Sequence, residues 1–223
     1  MGPGATGMKK VDPATSKIRR FRTDHSGMVE IVEDEGEVYL DTAHANYSYG
    51  TLQRILANGL KAIDTSGLKN VLLLGLGGGS VVKTLRGEIG YNGNITSVEL
   101  DKAIIGIALH EFGLNRDKKL KIIHGDALQV VSSMNNRFDL IIIDLFIHTD
   151  VPPVFYEPPF WIDIHRLLSN RGVFLFNASV GRKHMRALNG MKETMADHFR
   201  YKQLNDVEGH NTLLIGRTIN REE

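Results

Sequence analysis

Apolar and polar residues alternate over residues 28–32 (MVEIV) and 37–40 (EVYL), on either side of a polar stretch that contains Gly36. Period-two alternation across a glycine turn predicts a small β-hairpin. From Tyr47 the spacing lengthens: Leu52, Ile55, Leu56, Leu60 and Ile63 recur every three to four positions and predict an amphipathic helix. After it come short, nearly continuous apolar runs: VLLLG (71–75), ITSVEL (95–100), LKIIHG (120–125), DLIIID (139–144) and GVFLFN (172–177). Between them lie SVVKTLRGEI, DKAIIGIALHEFG, ALQVVSSM and FWIDIHRLLS, each apolar on one side. Strands apolar on both faces, alternating with helices, are the pattern of a parallel sheet covered on both sides. Met185, Leu188, Met191, Met195 and Phe199 form one more helical stripe, read as core filling. YKQLN and NTLLIGR flank the turn-prone DVEGH and predict an antiparallel hairpin at the sheet edge. The expected fold class is therefore α/β: three layers around a seven-stranded sheet, preceded by a small N-terminal β-hairpin. Residues 1–25 read as a flexible tail, 26–64 as the hairpin and linking helix, and 65–223 as the main domain.

At 223 residues, with 42% hydrophobic and 24% charged positions, the chain has the size and composition of one globular unit, which excludes disordered, collagen-like and coiled-coil classes. Its apolar runs fall far short of the ~20 residues of a membrane span. Lys plus Arg is 27 and Asp plus Glu 26, a net charge of +1, so no global field favours nucleic acid or anionic lipid as partner. The basic cluster KIRRFR (17–22) is followed by an acidic stretch, 30–37, able to neutralise it. The absence of cysteine removes disulfides, thiolate nucleophiles, Cys-based zinc sites and iron–sulfur clusters, and no metal site is expected. With no basic-apolar-small leader pattern, the expected location is the cytoplasm.

In an open parallel sheet the ligand sits beyond the carboxyl ends of the strands, so the residues after each run carry the chemistry. The first run ends in Gly75-Leu76-Gly77-Gly78-Gly79-Ser80, where glycines allow a sharp turn and close approach of a ligand to backbone amides. The second ends in Glu99-Leu100-Asp101, and an acid there can accept hydrogen bonds from both ribose hydroxyls. The third ends in Gly125-Asp126-Ala127, where an Asp can accept from an adenine amino group. Asp101 and Asp126 also precede helical segments, as N-caps do. The loop fits G-x-G-x-G rather than the dinucleotide pattern G-x-G-x-x-G/A, which makes NAD a weaker candidate, and G-x-x-x-x-G-K-[ST] is absent. After the fourth run, Asp144, His148, Asp150 and Tyr156 are the polar groups placed to meet a substrate. Four of the six prolines lie between residues 151 and 159, so this stretch is expected to be a stiff pocket wall.

VLLLGLGGGSV, SVELD, HGDA, FDLIIIDLF and GVFLFN, in that order, resemble the class I S-adenosylmethionine-dependent methyltransferases, and within them the spermidine synthase-like branch. The resemblance implies a Rossmann-like methyltransferase sheet in which Gly75, Gly77 and Gly79 back the amino-acid portion of the cofactor, Glu99 holds the ribose, and Asp126 with Ala127 holds the adenine. Gly78 joins these as a cofactor-loop residue, Asp144 as both cofactor-facing and catalytic, and Asp150 as the second catalytic candidate. Aminopropyltransferases of the branch carry an Asp where this chain has Gly78. They read D-S-S-D-P where it has Asp144-Leu145-Phe146-Ile147-His148, so the second acid is Ile147 and only Asp150 stands nearby. Aminopropyl transfer gathers several cationic amines in one cavity and needs several carboxylates. The resemblance therefore implies S-adenosylmethionine, or its decarboxylated form, as cofactor, methyl transfer ahead of aminopropyl transfer, a small-molecule acceptor, and a homodimer. A catalytically silent adenosine-binding protein and an NAD-linked oxidoreductase are the rivals. Asp150-Val151-Pro152-Pro153 differs from the D/N-P-P-Y/F motif of amino-nitrogen methyltransferases by the residue between the acid and the prolines.

Overall fold

The computed structural model describes residues 17–34, 37–42, 46–48, 51–147, 150–180, 183–209 and 211–219. The N-terminal part is a four-stranded antiparallel sheet, β1 (Lys17–Arg22), β2 (Met28–Asp34), β3 (Glu37–Thr42) and β4 (Asn46–Ser48), in that spatial order. The expected hairpin is its centre, β2 against β3; the turn at Gly36 lies outside the described residues. β1 falls inside the stretch that reads as a tail. An exposed edge strand needs no apolar alternation, and the signal for this one lies in charge: Arg20 is the ladder partner of Glu30 and its Nε donates across 2.7 Å, while Arg19 reaches Glu111 at 2.9 Å. The sheet buries Val29, Ile31 and Leu40 against Ile104, Ile107 and Phe112 of the main domain.

Helix α1 (Thr51–Lys61) leads into β5 (Asn70–Leu74), α2 (Ser80–Gly87), β6 (Asn94–Glu99), α3 (Lys102–His110), β7 (Leu120–His124), α4 (Ala127–Ser133), β8 (Phe138–Ile143), α5 (Pro158–Leu167), β9 (Leu168–Val180), α6 (Met185–Thr194), β10 (Phe199–Val207) and β11 (Asn211–Thr218). The main sheet runs β10-β11-β9-β8-β5-β6-β7, parallel from β7 to β9 and antiparallel for β11 and β10. All seven expected strands are there. Successive side chains of a strand face opposite layers: Leu72, Leu74, Ile141, Ile143, Phe174 and Phe176 pack with residues of α4, α5 and α6. Val71, Leu73, Leu140, Ile142, Val173 and Leu175 pack with α1 and α2. Among the described residues no helix is long and apolar enough to cross a membrane.

The chain lays β6 and β7 on one side of β5 and then returns to place β8 on the other. This reversal opens a crevice at the carboxyl ends of β5 and β8, where α/β sheets bind ligands. Beneath it the core is aromatic. Trp161 is fully buried, its ring centroid 4.7 Å from Phe174 and 5.3 Å from Phe176, and its Nε1 donates to the Phe155 carbonyl at 2.9 Å. Gly216 of β11 lets this cluster approach the sheet, because a Cβ there would stand 2.1 Å from Phe174 Cε1. Gly216→Ala should therefore lower stability by about 1–3 kcal/mol, the usual penalty of overpacking. Denaturant unfolding checks this, with the midpoint falling and nucleoside affinity unchanged.

Candidate functional site

The ends of the parallel strands are brought level by backbone bonds that continue the ladders one residue past each strand: Gly75 N to Val98 O at 2.9 Å, Gly125 N to Glu99 O at 3.0 Å, and Asp144 N to Leu74 O at 2.9 Å. The loops that leave these ends enclose a cavity of about 380 Å³, within the range of small-molecule sites. Gly75, Gly77, Glu99, Asp126, Ala127 and Asp144 all line it. Gly75 adopts φ 89°, and a Cβ would meet the Asp144 carbonyl oxygen at 2.2 Å, so only glycine allows the ends of β5 and β8 to close up.

Gly78 and Gly79 do not line the cavity. Both are buried behind it; Gly79, at φ 84°, precedes α2, and a Cβ there would lie 2.4 Å from Leu114 Cδ1. Its lack of a side chain serves packing. Asp150 is also absent from the lining: it sits beyond a bridge between Ile147 and Asp150 and is held by the Lys183 ammonium, with His184 Nε2 at 3.5 Å. That pairing, Lys183 first, holds its carboxyl below the usual range. Tyr156 likewise turns inward, its hydroxyl donating to the Ala178 carbonyl and its ring buried beside Phe176. His148 lies outside the described residues.

The acids of the cavity are each held by defined donors. Glu99 accepts from the amides of Leu76 at 3.0 Å, Gly77 at 3.1 Å and Asp101 at 3.0 Å, so it also fixes the glycine loop. Burial raises its pKa, and these amides pull the other way. Asp126 caps α4 through the Leu128 and Gln129 amides at 2.8 and 3.3 Å, both on Oδ1. A carboxylate has further lone pairs, so capping and ligand contact are compatible. Asp101 caps α3 through Ala103 at 3.0 Å and accepts, on its other oxygen, from the amides of His25 at 3.1 Å and Ser26 at 3.2 Å. Burial opposes its ionisation, but these bonds and the Thr23 hydroxyl bring its carboxyl below the ordinary value. The turn between β1 and β2 is thereby docked on the main domain, and His25 and Ser26 become part of the cavity wall.

Asp144 is different. Burial pushes its carboxyl up to about 6, with a donated bond from Asn177 opposing the rise and the charge of Glu99 adding to it. Asn177 Nδ2 lies 2.9 Å from Asp144 Oδ1, and Asn177 Oδ1 in turn accepts from Asn211 Nδ2 at 2.9 Å. Beyond Asp144 the wall is apolar: Leu145, Phe146, Ile147, Pro152, Val154 and Phe155. The proline-rich stretch thus forms a wall, as its stiffness suggests.

Reasoning from sequence missed His25, Ser26, Asn177 and Asn211. A signal existed for Asn177, the polar residue that closes the apolar run 172–177; none existed for His25, whose place depends on how two sheets dock. The cavity brings together the Gly75 and Gly77 backbone, Glu99, Asp126 and Ala127, which come from the ends of three different strands.

A family model described as spermine/spermidine synthase domain matches residues 52–205. The eEF1A lysine and N-terminal methyltransferase of Danio rerio is 29% identical over 143 residues, 57% of this chain but 21% of that relative. The polyamine aminopropyltransferase of Neisseria meningitidis is 25% identical over 183 residues, 76% of this chain and 69% of the relative. The chain therefore spans about a fifth of the first of these and two thirds of the second. Among solved structures, a probable spermidine synthase from Corynebacterium glutamicum superposes with TM-score 0.65 at 19% identity, covering 96% of this chain and 81% of that one. Human methyltransferase-like protein 13, in complex with SAH, does so with TM-score 0.56 at 20% identity, covering 78% and 82%. Both show a shared fold.

Glu99→Gln keeps the length of the side chain but replaces one acceptor oxygen by a donor NH2 facing backbone amides, and removes the charge that strengthens bonds to hydroxyl donors. At about 1.5–3 kcal/mol per charge-assisted bond, nucleoside affinity should fall at least tenfold. Isothermal calorimetry with 5′-methylthioadenosine measures it, and an unchanged affinity would take Glu99 out of the site.

Proposed function

The chain belongs to the spermine/spermidine synthase family of S-adenosylmethionine-type transferases, and within it we propose that this protein transfers a methyl group from S-adenosylmethionine to an amine nitrogen. The observation that carries the reading is the wall beyond Asp144, where the described lining residues are apolar: Leu145, Phe146, Ile147, Pro152, Val154 and Phe155. An aminopropyl donor brings an ammonium tail and its acceptor a polyamine, and both need acids to offset their desolvation. At the positions where such acids stand in aminopropyltransferases this chain has Gly78, buried behind the loop, and Ile147, while Asp150 is spent on Lys183. A cofactor that keeps its own carboxylate suits a loop of backbone amides without an acid. The printed names of the methyltransferase relatives, which concern lysine and N-terminal amines, support an amine acceptor.

When bound, the cofactor supplies an electrophilic methyl on sulfur; this chain supplies placement and proton handling. Gly75 and Gly77 would face its amino-acid portion, Glu99 its ribose, and Asp126 and Ala127 its adenine. The apolar wall of Leu145, Phe146, Ile147, Pro152, Val154 and Phe155 excludes water and narrows the approach of the acceptor, which contributes through orientation. An amine is protonated at neutral pH and must lose that proton before it attacks. Asp144, with its carboxyl near pH 6, is matched to pair with the ammonium and take the proton.

Calorimetry with S-adenosylmethionine, its decarboxylated form and NAD tests the cofactor: the first should bind at least as tightly as the second. Tenfold tighter binding of the decarboxylated form would sink the methyl-transfer reading. Asp144→Asn should reduce methyl transfer, assayed with methyl-labelled S-adenosylmethionine and lysine-bearing peptides, by about 10²–10⁴. It should act oppositely on stability. A carboxyl raised in the folded state adds stability that is complete below the unfolded pKa near 3.9 and lost as pH rises through about 6. The variant escapes that loss, so its unfolding free energy should exceed the wild type's by about 2–3 kcal/mol at pH 8, the gap narrowing towards pH 4.

A further inference from the structure

Asp144 directly follows β8, and Asn177 and Asn211 lie on β9 and β11; the three strands are neighbours in the sheet, and these positions lie at the carboxyl end of its parallel strands. Each is two residues from an apolar side chain of the layer that contains α1 and α2, namely Ile142, Leu175 and Leu213, so all three face that layer. Asn177 and Asn211 are 1% and 3% exposed. Two carboxamides at such depth, where the neighbouring positions are apolar, are expensive unless fully bonded. The register of β11 against β9 accommodates them: it shifts between Thr212 and Leu213, so Thr212 pairs with Ser179 and Leu213 with Asn177, and Ala178 has no opposite residue.

The hydrogen bonds have a direction. An ionised carboxylate only accepts, so Asn177 must turn its amide nitrogen to Asp144. That leaves its oxygen for Asn211, which must donate. Were Asp144 protonated and donating, both carboxamides would have to turn over. Of the charged groups, Glu99 acts on Asp144 and adds negative charge, while Asp150 is taken by Lys183 and His184, and Arg54 on α1 is paired with Glu208 across 2.8 Å. We propose that Asn177 and Asn211 are positioning residues for the reaction, a two-step donor chain that holds the Asp144 carboxylate in the cavity wall and favours its ionised form. This rests on Asp144 being the proton-handling group. Asn211, whose Nδ2 donates to Asn177, acts two residues removed from the cavity, through the orientation of Asn177.

The test is direct titration of Asp144 by the carboxyl ¹³C shift in aspartate-labelled full-length protein, assigned with Asp144→Asn. Asn177→Ala removes the donor and should raise the midpoint by about one unit, a tenfold change in proton affinity. Asn211→Ala should raise it less, because Asn177 keeps its bond but loses its fixed orientation. Asn211→Asp should raise the midpoint more than either alanine variant, because a carboxylate at 211 claims the Asn177 amide nitrogen, turns its oxygen towards Asp144 and adds its own negative charge. A residue needed only for packing would leave the Asp144 midpoint unmoved in Asn211→Ala. A midpoint unmoved in Asn177→Ala would overturn the proposal, one unmoved in Asn211→Ala would overturn the part given to Asn211, and should either variant fail to fold the other decides. Methyl transfer read in parallel separates the two claims: midpoints that move while the acid limb of the pH–rate profile stays put leave the chain standing and defeat the role given to Asp144.

Discussion

The site depends on how closely β5 and β8 approach where the strand order reverses. The approach is set by Gly75, whose missing Cβ leaves room for the Asp144 carbonyl. With that contact made, the amide of Asp144 extends the β5 ladder and its side chain arrives beside the glycine loop. The aromatic layer around Trp161 then supports the crevice from below, and Leu145, Phe146, Ile147, Pro152, Val154 and Phe155 line its far wall. The geometry of the cavity follows from strand pairing, which is why its acids come from three different strand ends.

Those acids are kept under opposing influences. Desolvation raises Glu99 and Asp144, and the donors that offset it differ in kind: backbone amides for Glu99, a side-chain relay for Asp144. Backbone donors cannot turn, so Glu99 is fixed as an acceptor. A carboxamide relay can reverse, so Asp144 keeps access to both protonation states, which a group that exchanges a proton requires.

Much of this was legible in the sequence. The five apolar runs gave the parallel strands because burial on both faces leaves no polar position to blur them, and Gly75, Glu99 and Asp126 could be placed because a residue at a strand end is positioned by the strand itself. Asp150 and Tyr156 illustrate the limit. Their distance along the chain from Asp144 is short, but the direction of a loop side chain is decided by partners such as Lys183 and Ala178, far away in sequence. Gly78 and Gly79 belong to the right loop, yet one glycine loop serves both ligand approach and packing, and pattern alone does not divide the two tasks. β1 escaped for the opposite reason, being an exposed edge whose stabilising contacts are ionic rather than apolar.

The docking of the β1–β2 turn on Asp101 has a thermodynamic meaning of its own. His25 and Ser26 donate their amides to that carboxylate and at the same time line the cavity. A molecule resting against them binds two bodies together, the N-terminal sheet and the main domain. Ligand affinity and sheet attachment are then one reciprocal coupling, in which whatever strengthens either strengthens the other by an equal free energy.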